Sequence, residues 1–167
     1  YKRWDYRRFA QLADILIRKY GGKIFFTAGK DEWGVINSLI EEMTESQYVC
    51  CRTETLTQLA EIIRRSDLYI GNDTAPMHLA AFVGTPVIGL FGPTDPMENA
   101  PYGKEESIVV RKDVSCNPCR NRECHDLICM DAITVEDVLE SVERIFLNRG
   151  FTLKSEVRSQ KSGDFKY

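Results

Sequence analysis

Residues 66–96, SDLYIGNDTAPMHLAAFVGTPVIGLFGPTDP, narrow the possible folds more than any other stretch: 31 residues read as strand, polar turn, helix, glycine turn, strand and a second polar turn. Residues 68–70 and 86–91 are short apolar runs suited to buried parallel strands, the second bounded by Gly84 and by Gly92-Pro93. Between them lies Asn72-Asp73-Thr74-Ala75-Pro76. Either Asp73 or Thr74 can serve as the N-cap of the helix, and Pro76 suits its first turn, where a missing N–H costs nothing. Such a helix aims unpaired N–H groups and its positive dipole end at the carboxyl edge of the sheet, which makes an anion site.

The rest of the chain repeats this alternation. Phe9, Leu12, Ala13, Leu16, Ile17 and Tyr20 share one face of a helix over 5–20, ended by Gly21-Gly22. A strand at 23–27 precedes a loop whose Asp31 can cap the next helix, with Val35, Ile36, Leu39, Ile40 and Met43 on its inner face. Residues 48–51 form another strand, with Cys50 and Cys51 expected in the core, and Thr55 or Thr57 opens a helix that buries Leu59, Ile62 and Ile63. Residues 107–111 read as a fifth strand and 114–130 as a cysteine-bearing loop. Thr134 then opens a last helix, with Asp137 three residues on as a capping-box partner. The pattern predicts an α/β fold: a Rossmann-like parallel sheet with helices on both faces. It is expected to occupy residues 1–147, followed by a polar, mobile tail at 148–167.

With 167 residues, 43% of them apolar and 28% charged, one domain with a full core is expected. The net charge of −3 argues against nucleic acid as a partner. No apolar run approaches the ~20 residues of a membrane span and no secretory signal opens the chain, which reads as cytoplasmic. The opening Tyr1-Lys2-Arg3-Trp4 lacks an initiator Met and reads as the start of a fragment.

The run D-T-A-P-M-H-L-A at 73–80, followed by G-T-P-V-I-G-L-F-G-P-T-D-P at 84–96, resembles the signature of glycosyltransferase family 9, the ADP-heptose:lipopolysaccharide heptosyltransferases. Lys2-Arg3-Trp4 is similar to a K-R-W segment of that family, and C-M-D-A-I at 129–133 with V-E-D-V at 135–138 resembles a segment before its late helix. The likeness covers residues 2 to 146 and implies the C-terminal, donor-binding half of a two-domain GT-B enzyme. It implies roles for single residues: Lys2 on the donor phosphate, Asp73, Thr74 and Ala75 in the turn that holds the diphosphate, and His78 one helical turn on. Ala75 stands where many relatives have glycine, which Ala can replace if φ stays negative. Asp73 is expected to cap the helix and to meet the donor sugar. An acidic residue after the first strand should hold the adenosine ribose; Asp31 and Glu32 are the candidates, with Glu32 favoured and Asp31 left as the cap. Backbone groups at 53–55 would line the adenine pocket.

By the same resemblance the donor is ADP-heptose or a similar nucleotide sugar, and no cofactor is required. The acceptor is the lipopolysaccharide core, bound with the general base by an N-terminal domain outside this chain; peripheral association with the inner membrane follows from such an acceptor. The physical reading alone leaves a non-catalytic nucleotide-binding or partner-binding domain open.

Cys116, Cys119, Cys124 and Cys129 follow C-x2-C-x4-C-x4-C within 14 residues. Four thiolates so spaced could wrap a structural Zn²⁺ ion. Reduced thiols packing a long loop, or a disulfide formed on isolation, fit the spacing too.

Overall fold

A computed structural model describes residues 2–151. The tail expected at 148–167 lies outside the described residues from 152 onward. The elements run α1 (Tyr6–Tyr20), β1 (Ile24–Thr27), a 3-10 turn (Lys30–Glu32), α2 (Trp33–Glu42), β2 (Tyr48–Cys51), α3 (Leu56–Arg64), β3 (Tyr69–Asn72), α4 (Ala75–Phe82), β4 (Val87–Phe91), α5 (Pro96–Asn99), β5 (Ser107–Arg111), α6 (Ile128–Asp131) and α7 (Val135–Asn148). The five strands form two parallel sheets, β1–β2 and β3–β4–β5. Of the described residues, 2–5 and 53–142 make one compact unit and 6–52 and 143–151 another.

In the unit built on β3–β4–β5, β4 is central, pairing Ile70 with Ile88 on one side and Ile88 with Ile108 on the other. All five of its residues are buried. Side chains alternate across a strand, so Val87 and Phe91 share one face and Ile88 and Leu90 the other, and both faces are covered. Val87 and Phe91 join Ile63 of α3 and Met77, Ala80 and Ala81 of α4 in one apolar cluster. Close approach is possible because Gly89 has no side chain: a Cβ there would lie 2.7 Å from the Met77 sulfur. The buried Thr85 hydroxyl donates to the Ile63 carbonyl at 2.8 Å, tying the end of α3 to the turn before β4. Gly84, at φ +81°, makes that turn.

The capping box of α7 forms as the sequence suggests. Thr134 Oγ1 accepts from the Asp137 N–H at 3.2 Å, and Asp137 Oδ2 accepts from the Thr134 N–H at 2.9 Å. Burial pushes the Asp137 carboxyl up, but Lys112 and the Thr134 groups more than offset it, and the net shift is downward.

In the unit built on β1–β2, the strands pair in register from Ile24–Tyr48 to Thr27–Cys51. The expected face of α1 is buried at Leu12, Ala13, Leu16 and Ile17, while Phe9 and Tyr20 are half-buried. Buried Asp14 accepts from the Thr44 N–H at 2.9 Å, the Thr44 hydroxyl at 2.6 Å and the Glu45 N–H at 2.9 Å. These bonds satisfy backbone donors just past α2. Phe146 of α7 packs edge-on to Tyr20 at 4.9 Å and stacks with Phe151 at 4.5 Å.

Two local expectations are corrected. Cys50 is exposed and Cys51 half-buried, because Cys50 alternates to the outer face of a two-stranded sheet. Asp31 caps no helix: it lies inside the 3-10 turn, and Glu32 occupies the cap position of α2.

Candidate functional site

The site begins at Trp4, which is 2% exposed. Its indole N–H donates to the Ile133 carbonyl at 2.9 Å, and its backbone N–H donates to Asn72 Oδ1 at 3.0 Å. These two bonds hold the segment 2–4 against the end of β3. Lys2 is thereby delivered to Asp73: its ammonium lies 2.6 Å from Asp73 Oδ2 and 3.4 Å from the Asp73 carbonyl.

Asp73 follows β3 directly, its N–H donating to the Leu90 carbonyl at 3.2 Å. Its side chain is 4% exposed, and a buried carboxylate needs partners for its charge. Oδ2 has two, the Lys2 ammonium and the hydroxyl of buried Thr94 at 2.7 Å. Oδ1 lies 3.9 Å from Nε2 of His78, whose ring is half exposed.

This arrangement corrects the expected capping role of Asp73. The N-cap of α4 is Thr74, and no side chain caps the helix, because the Asp73 carboxylate is turned toward Lys2 and Thr94. Thr74 Oγ1 instead donates to the Asn72 carbonyl at 3.3 Å. Thr74 and Ala75 are both exposed at the start of α4, where Pro76 has no N–H and the Met77 N–H donates to the Thr74 carbonyl at 3.0 Å. His78, a helical turn past Thr74, lies on the same side. Lys2, Asp73, Thr74, Ala75 and His78 are thus brought together at the start of α4.

Three contributors were missed as site residues. Thr94 lies in the turn after β4, inside the run at 84–96 that carries the resemblance, but with no role assigned to it. Burial pushes the Tyr69 hydroxyl up to about 12, and the Thr74 side chain pulls the other way. The Tyr69 ring covers Gly71, where a Cβ would meet the Tyr69 oxygen at 2.5 Å. Trp4 acts through its two anchoring bonds. Trp4 and Thr94 fall within runs that carry the resemblance, but no spacing rule pairs them or Tyr69 with residues 71 to 74.

Glu32 belongs to the other unit. Its carboxylate accepts from the Gly29 N–H at 3.1 Å, closing the 3-10 turn.

The expected zinc ligands Cys116, Cys119, Cys124 and Cys129 do not form a cage. Among the described residues no group of three or more His, Cys, Asp or Glu side chains is arranged to hold a metal ion. Cys116 and Cys119 are exposed on a turn, Cys124 is half-buried, and Cys129 is buried in α6, where it and Met130 pack on Gly92. Burial pushes the Cys129 thiol up, and the nearby Cys116 and Cys119 add to the shift. All six cysteines are unpaired thiols.

The profile of glycosyltransferase family 9 (heptosyltransferase) matches residues 1–128. The chain belongs to glycosyltransferase family 9. It is 32% identical over 160 residues to lipooligosaccharide heptosyltransferase 2 of Campylobacter jejuni, covering 88% of this chain and 47% of that protein. It is 28% identical over 148 residues to an Escherichia coli lipopolysaccharide heptosyltransferase 3, covering 87% of this chain and 43% of that protein. The chain therefore spans about half the length of the curated relatives it matches. Among solved structures, a family 9 glycosyltransferase from Veillonella parvula superposes with a TM-score of 0.76 at 29% identity, covering 88% of this chain and 42% of that one. E. coli heptosyltransferase WaaC, solved with ADP, shares the fold at a TM-score of 0.70 and 21% identity, covering 86% of this chain and 40% of that one. Among the described residues no helix is long and apolar enough to cross a membrane.

Proposed function

We propose that the protein carrying this chain transfers a heptose from ADP-heptose to a lipopolysaccharide core acceptor, and that this chain is its C-terminal, donor-binding half in a GT-B arrangement. The observation that carries the reading is the Lys2–Asp73–His78 cluster at the start of α4, in a chain of a heptosyltransferase family. The acceptor hydroxyl attacks the anomeric carbon of the donor, the bond from that carbon to the diphosphate oxygen breaks, and ADP leaves. Lys2, the N–H groups of Thr74 and Ala75, and His78 stabilise the charge that develops on the diphosphate.

A carboxylate beside a diphosphate would be repulsive if its charge stood alone. Here Lys2 and Thr94 engage Oδ2 of Asp73, and Oδ1 is the oxygen for a donor-sugar hydroxyl. Backbone groups at 53–55 are assigned to the adenine. The base that takes the acceptor proton comes from the other half of the enzyme. The protein works at the cytoplasmic face of the inner membrane, in peripheral contact with it.

Calorimetry with ADP and a transfer assay with ADP-heptose on the full-length protein test this reading. Lys2→Ala and His78→Ala are expected to weaken ADP binding about tenfold or more, as loss of a charge-assisted bond would. Absence of binding at millimolar ADP would overturn the proposal. Binding without transfer would instead favour a nucleotide-binding module.

A further inference from the structure

We infer that Thr94 is a positioning residue of the donor site, acting through Asp73 to set where Lys2 and His78 meet the diphosphate. The inference rests on the donor-site reading above. Asp73 carries its charge at 4% exposure with two close partners on a single oxygen, Lys2 at 2.6 Å and Thr94 at 2.7 Å. Lys2 sits on a long flexible stem and selects no carboxylate rotamer by itself. The Thr94 hydroxyl belongs to a short β-branched side chain with few rotamers, so its position is that of its backbone. With Oδ2 fixed by Thr94, the carboxylate plane is fixed. Oδ1 is then held toward His78, and the Lys2 ammonium is drawn to the α4 end of β3.

The backbone of Thr94 is itself held from both sides. Before it, the Pro93 carbonyl accepts from the N–H groups of Cys119 and Arg120, each at 2.9 Å. Asn117 Nδ2 approaches the Gly92 carbonyl at 3.4 Å and donates to the Lys112 carbonyl at 2.8 Å. After it, Asp95 caps α5 by accepting from the Met97 N–H at 2.9 Å. The cysteine-bearing loop thus braces the turn whose hydroxyl reaches the site, a role that needs no metal.

The test uses the full-length protein with ADP-heptose and compares Thr94→Val, which keeps the shape and removes the hydroxyl, with Thr94→Ser, which keeps the hydroxyl. Thr94→Val is expected to lower kcat/KM about tenfold or more, since the bond lost is to a charged group. Thr94→Ser should stay within about threefold of the parent. In an Asp73→Asn background, Thr94→Val should cost little more, because both changes break one device. A purely structural role predicts instead that Thr94→Val adds its full cost to that of Asp73→Asn, and full additivity overturns the inference. So does a Thr94→Val enzyme within threefold of the parent. Should Thr94→Val not fold, Thr94→Ala is carried through the same cycle. If the parent protein neither binds ADP nor transfers heptose, the donor-site reading fails, an outcome distinct from failure at Thr94.

Discussion

Replacing Gly92 with Ala should destabilise the unit that carries the site. Gly92 is buried just past β4, and a Cβ there would lie 2.4 Å from the Met130 sulfur, 2.9 Å from Met130 Cγ and 2.9 Å from the Cys129 sulfur. A Met side chain can often yield, but Met130 is 1% exposed and has little room to move, and Cys129 is short and buried as well. Two effects compete. Ala reduces the entropy of the unfolded chain and would stabilise by about 0.4–1 kcal/mol if the site accepted it. Forcing a methyl into a packed interior costs about 1–3 kcal/mol. Overpacking should win, for a net loss of about 1–2 kcal/mol, or a 5- to 30-fold fall in the folded-to-unfolded ratio. Urea unfolding reads this as a midpoint lowered by roughly 0.5–1 M at unchanged slope, for a slope near 2 kcal/mol/M. Cys129→Ala removes one of the crowding atoms, so the double variant should lose less than the two single losses combined. The same exchange at Gly34, where a Cβ meets no atom within 4 Å, should leave stability equal or higher. A Gly92→Ala protein as stable as its parent, or strict additivity with Cys129→Ala, would refute this account of the packing.

Two further outcomes follow from local electrostatics and capping. Burial pushes the Asp14 carboxyl up, but the Thr44 hydroxyl, the Glu45 and Thr44 N–H groups and Arg18 outweigh it, leaving the folded value below the ordinary 3.8. The stability Asp14 contributes is therefore complete above about pH 3.8 and is lost as pH falls through the lower folded value, so Asp14→Asn should flatten the acid limb of a stability–pH curve. Thr134→Ala removes the reciprocal cap of α7 and should cost about 1 kcal/mol, read as faster hydrogen exchange at the start of that helix.

The periodic parts of the fold were legible because burial imposes them. The strand at Tyr48–Cys51 matches its expected bounds, and α1, β4 and α7 begin within a residue of theirs. Short elements fixed by single contacts were not. The 3-10 turn at Lys30–Glu32, α5 and α6 are each only three or four residues long, too few to show a period. The division of the strands between two sheets was also invisible, since alternation predicts parallel crossovers without saying which strands pair.

The site was legible where chemistry follows the chain and illegible where it crosses it. Thr74, Ala75 and His78 fall on one helix start, so helical spacing alone places them together. The role of Asp73 depends on two residues far away in sequence, Lys2 at a separation of 71 and Thr94 at 21. Read locally, an Asp before a helix is an N-cap, because a solvated carboxylate next to free N–H groups turns to them. A buried carboxylate obeys a different rule: its charge must be compensated and its oxygens bonded, and those partners together set its rotamer. Lys2 supplies a full positive charge where the first turn of α4 offers partial ones, Thr94 fixes the oxygen that Lys2 meets, and the carboxylate turns away from the helix. That choice leaves the start of α4 without a side-chain cap, the arrangement that the proposed diphosphate site calls for. The failure of the capping reading and the suitability of the helix for an anion have the same cause.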